Sequence, residues 1–80
     1  MEIKHETAMK LWKEKYGKGT EKANDREGRL MLKTAYGDES SKYGWNIHHR
    51  KAISNGGTSA KMNLEIVHIL THKEINRATI

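Results

Sequence analysis

Residues 45–76 read WNIHHRKAISNGGTSAKMNLEIVHILTHKEIN, and the fold turns on them. Trp45, Ile47 and His49 alternate with Asn46, His48 and Arg50, the two-residue period of a strand. Ser54-Asn55-Gly56-Gly57-Thr58-Ser59 follows, a run of turn formers. Leu64, Ile66 and Ile69, with Val67 between them, make a second strand. Thr71 stands three residues before Glu74, the spacing of a capping box, so a last helix is expected over 72–79. The segment is thus predicted to be strand, glycine loop, strand and helix.

Upstream, Ala8, Leu11, Trp12 and Tyr16 recur every three or four residues, which predicts a helix over 4–16 stopped by Gly17 and Gly19. Residues 20–28 are polar and read as irregular or as a short helical turn. The apolar run Leu30-Met31-Leu32 is too short to decide between strand and helix, and Gly37 to Gly44 reads as a turn region. The expectation is one α+β domain over 1–80, with a helical N-terminal part (1–40) packed on the unit at 45–79.

Composition limits what such a domain can be. Leu, Ile and Val make up 13 of 80 residues and Phe is absent, so a large aliphatic core is excluded. Trp12 and Trp45 are expected to supply core area instead. The lack of cysteine excludes disulfides and every thiolate metal site. No apolar run approaches the length of a membrane span, and a cytoplasmic protein is expected. Net charge is +5, and residues 41–80 carry six basic side chains against two acidic. Between Glu39 and Glu65 there is no carboxylate. Charge alone fits a phosphate-binding face and an idle basic surface equally.

Four of the five histidines fall between 48 and 72. Neutral imidazole is a base suited to pH 7 and a ligand for transition metals. Phosphodiester hydrolysis needs both a base and a cation. His68 falls in the second strand, without the glutamate of an HExxH motif, and is expected to pack or hydrogen-bond.

Residues 45–76 resemble the HNH endonuclease motif of the ββα-metal fold. The matching elements are the pair His48-His49, the loop ISNGG (53–57), Asn63, and His72 nine residues later. HHRKAISNGG is especially similar to colicin DNase domains. GR at 28–29, AYG at 35–37 and SKYGWNI at 41–47 resemble small phage and bacterial HNH proteins. The resemblance implies that His49 is the general base and that His48 and His72 are metal ligands. It implies that Asn63 holds the loop and orients the base. Asn76 stands where colicin-type nucleases have a third histidine, and an amide oxygen is a weaker ligand. The implied cofactor is one divalent metal ion (Zn, Ni, Co, Mn or Mg), and the His/Asn set favours a transition metal over Mg. The implied partner is DNA, contacted by Arg50, Lys51, Lys73 and Arg77, with a homodimer or a larger phage or restriction assembly as further expectations. A metal-stabilised DNA-binding module without cleavage is the alternative.

Overall fold

A computed structural model describes residues 4–58 and 60–78. The order is helix α1 (His5–Tyr16), strands β1 (Lys22–Asn24), β2 (Leu30–Leu32), β3 (Trp45–His49) and β4 (Leu64–His68), and helix α2 (Ile69–Ala78). The protein is therefore a small α+β fold: an N-terminal helix, two antiparallel hairpins and a C-terminal helix. Among the described residues no helix is long and apolar enough to cross a membrane.

Helix α1 buries Ala8 and Trp12, two members of the stripe visible in the sequence. It ends where Gly17 takes φ 105°, a conformation costly for any other residue, and donates its N–H to the Lys13 carbonyl at 2.9 Å. Trp12 and Trp45 are both fully buried, with ring centroids 4.9 Å apart, and Tyr36 lies 4.8 Å from Trp45. Such ring pairs contribute about 0.5–1.5 kcal/mol each beyond the area they bury. Their indole N–H groups are satisfied by the carbonyls of Thr20 and Leu32, each at 2.8 Å. The aromatic cluster thus offsets the shortage of aliphatic residues.

The β1–β2 hairpin corrects the expectation of a helical 1–40. Its strands are only three residues long, too short to display a period. Its turn is built by Asp25, whose Oδ1 accepts the N–H groups of Glu27 and Arg29 at 2.9 and 3.0 Å. That turn reaches across to the second hairpin. Asp25 Oδ2 accepts the N–H of His68 at 3.0 Å, and Arg26 forms an ion pair with the buried Glu65. Arg29 binds both carboxylate oxygens of Glu74 and the hydroxyl of Thr71.

In the β3–β4 hairpin His48 stands opposite Glu65 and His49 opposite Leu64. Trp45, Ile47, Leu64 and Ile66 share one face and join Trp12, Ala8 and Met31 in the core. The alternate face carries His48 and the fully buried Val67, and α2 crosses it.

Helix α2 starts three residues earlier than expected, so Thr71 is not its cap. The cap is His68, whose Nδ1 accepts the Leu70 N–H at 3.0 Å. With Nδ1 an acceptor, Nε2 carries the proton and donates to the Lys42 carbonyl at 2.7 Å. Thr71 is buried inside the helix, and Glu74 is held by Arg29 rather than closing a capping box. The expected last helical residue, 79, lies outside the described residues.

Candidate active site

The chemistry-bearing residues meet where β3 ends and α2 begins. His48 projects from the penultimate position of β3, and His72 from the first turn of α2. Their rings meet edge to face with centroids 5.4 Å apart. Neither ring forms a hydrogen bond with another described residue. Burial holds both imidazoles below the ordinary histidine value, because an enclosed cation loses its hydration. The adjacent His72 depresses His48 further, and His49 does the same to His72. Both effects favour the neutral ring, the form that binds metal.

His49 follows His48 at the end of the strand. Adjacent strand residues point to opposite faces, but β3 stops here and the chain bends at Arg50. Both histidines border one open cleft of about 730 Å³. The Nε2 atom of His49 is buried and has no hydrogen-bond partner. A buried polar atom without a partner costs about 1–3 kcal/mol.

The glycine loop is fastened by Asn63. Its Oδ1 accepts the Lys51 N–H at 2.7 Å, while Nδ2 donates to the carbonyls of Lys51 and Thr58 at 3.0 and 2.6 Å. Its backbone carbonyl also accepts the Arg50 N–H at 2.7 Å. Gly56 takes φ 87°, and a Cβ on Gly57 would lie 1.9 Å from the Lys51 oxygen. Both glycines of the pair are required, one by conformation and the other by close approach.

Of the four cations expected to face nucleic acid, Arg50 and Lys51 line the cleft, and neither forms an ion pair with a described residue. Lys73 and Arg77 are outside the lining, and Lys73 lies 3.4 Å from Glu39. Asn76 borders the cleft one helical turn beyond His72. Asn63 sits behind the loop rather than in the cleft. His68 is buried and bonded at both ring nitrogens.

The chain matches no protein-family model, no curated protein and no solved structure.

The donor chemistry fits a divalent ion in part. Two neutral imidazoles with no competing hydrogen bonds face each other, and Asn76 lines the same cleft. Among the described residues no group of three His, Asp or Glu side chains could hold a metal. The protein would supply two strong ligands, with water and phosphate filling the remaining positions.

Sequence reasoning missed Arg26 and Glu65. The ion pair places a carboxylate directly across the hairpin from His48, and its field partly counters the effect of burial on that ring. Only the absence of carboxylates between Glu39 and Glu65 set Glu65 apart in the sequence.

Proposed function

We propose that this chain is a metal-dependent endonuclease of the HNH type that hydrolyses DNA phosphodiester bonds. The observation that carries the reading is the apposition of His48 and His72 in a cleft also lined by Arg50 and Lys51, neither of which is ion-paired with a described residue. His48 and His72 would hold a divalent metal ion, with Asn76 a further oxygen donor. When bound, that ion supplies positive charge against the phosphate and the departing 3′-oxygen. His49, which lines the same cleft, accepts the proton of the attacking water. The water oxygen bonds to phosphorus as the phosphorus–O3′ bond breaks. Arg50 and Lys51 bind the flanking phosphates and set the register of the strand. Asn63 keeps the loop that carries them in place.

Plasmid nicking across Zn, Ni, Co, Mn and Mg tests the reading. Cleavage is expected with a transition metal and is lost in His49→Ala, which keeps its metal affinity. His48→Ala is expected to weaken metal binding, and excess metal partly restores its cleavage. The opposite pattern reverses the roles of the pair. The two-imidazole donor set favours a second reading, a metal-stabilised DNA-binding module. Absence of nicking with every metal, with metal-dependent stability retained, selects that second reading.

A further inference from the structure

The cleft is lined by two chemically distinct sets of groups. The histidines, Arg50 and Lys51 form one, suited to a phosphate. The other is Ala52, Ile53 and Ile75, which present hydrocarbon, together with Asn55. We infer that this second set forms a subsite for one unpaired nucleobase, so that the chain takes single-stranded or locally opened DNA in preference to intact duplex. The identity of the polymer rests on the endonuclease reading.

A nucleobase has an apolar face and a polar edge. Ile53 offers the face a partner: it is 49% exposed in a protein short of aliphatic residues. Ile75, half-buried on α2, supplies a second hydrocarbon surface. The side-chain amide of Asn55 makes no hydrogen bond with a described residue, leaving a donor and an acceptor for a base edge. The whole cleft, at about 730 Å³, has room for a nucleobase beside the phosphate-facing groups and falls in the range of roughly 300–1,000 Å³ of small-molecule sites.

The subsite is also pre-organised. Gly56 and Gly57 donate to the carbonyls of Ile53 and Ala52 at 3.1 and 2.9 Å, which fixes the turn Ile53–Asn55. Asn63 anchors the start of the same loop at Lys51. Little ordering is therefore left to be done on binding. In an intact duplex the base faces are stacked on one another, and Ile53 and Ile75 would be left against water.

The test is fluorescence anisotropy with nuclease-resistant phosphorothioate strands, with and without divalent metal. The probes are an oligothymidylate, its duplex with oligoadenylate, and an abasic strand of equal length that keeps the charges but has no bases. The oligothymidylate is expected to bind about fivefold or more tighter than the abasic strand, the scale of one partly buried apolar contact. The duplex, although its higher charge density favours binding, should still bind less tightly than the oligothymidylate. Ile53→Ala, a substitution at an exposed position, should close that gap while leaving abasic-strand affinity and the melting temperature unchanged. Arg50→Ala should weaken all three probes together. Equal affinity for oligothymidylate and abasic strand overturns the inference, as does a gap that survives Ile53→Ala or an absence of binding to any probe. A gap that closes in Ile53→Ala upholds the subsite even if no metal supports plasmid nicking, a result that would sink only the endonuclease reading.

Discussion

Removing the Asn63 side chain should unfasten the glycine loop while leaving the hairpin beneath it intact. Asn63→Ala deletes three hydrogen bonds, two to Lys51 and one to Thr58. At a net 0.5–1.5 kcal/mol each, the loss spans about 1.5–4.5 kcal/mol. Lys51 and Thr58 are exposed, so water can replace the lost partners, and the low end, about 1.5 kcal/mol, is expected. For a domain of this size that lowers the melting temperature by roughly 6–12 °C. Amide hydrogen exchange locates the effect. The Lys51 N–H, bonded to the deleted oxygen, should lose its protection. The Arg50 N–H, bonded to the backbone of the same residue, should keep its own. Asn63→Asp should cost at least as much, because a carboxylate oxygen would then face the Lys51 and Thr58 carbonyls. Unchanged Lys51 exchange with a melting point within a degree of the parent would refute the role given to Asn63.

Other expectations follow from the same geometry. Saturating transition metal should raise the melting temperature, with about 2.7 kcal/mol gained at a hundredfold excess over the dissociation constant, and His48→Ala or His72→Ala should remove most of the gain in a thermal shift series. His68→Leu should cost about 2–4 kcal/mol in urea denaturation, since it strips the cap of α2 and leaves the buried Lys42 contact unmade, yet leave a calorimetric metal titration unaltered. Stability should fall in two stages on acidification, measured by melts from neutral pH downward. The first begins below about 6.5, where unfolded histidines take up protons that the depressed His48 and His72 refuse. The second begins below about 4, the unfolded range of Asp25 and Glu65, and runs down through their lowered folded values. A Glu65→Gln variant that retained the whole second stage would contradict the part given to its ion pair with Arg26.

The β3–loop–β4–α2 unit was legible because its signals are local. The alternation through Trp45, Ile47 and His49, the glycine pair and the spacing from Asn63 to His72 each lie within a few residues of what they organise. The N-terminal part was less so. A hairpin with strands of three residues has no period to detect, and Asp25, Arg26 and Arg29 read as ordinary solvated charge because their partners lie some forty residues away. Thr71 shows how a local signal misleads. Thr-x-x-Glu has the right spacing for a cap, but the His68 ring provides the acceptor first, and Arg29 claims both Thr71 and Glu74. Among the cations, Arg50 and Lys51 inherit their place from the strand end. Lys73 sits on a helix whose rotation, set by buried Val67, Ile69 and Thr71, turns it toward Glu39.

The turn at Asp25–Arg29 gives the chain an order of assembly. Its hydrogen bonds to Glu65, His68, Thr71 and Glu74 close loops of 39, 43, 42 and 45 residues, each an entropic cost met before any contact is gained. The two hairpins, and α2 against β3 and β4, rest on contacts closer in sequence, so the long-loop cost falls on the docking of the N-terminal half. His72 rides on α2 and His48 on β3, so the pairing of the two imidazoles belongs to the C-terminal unit and sits on the near side of that step.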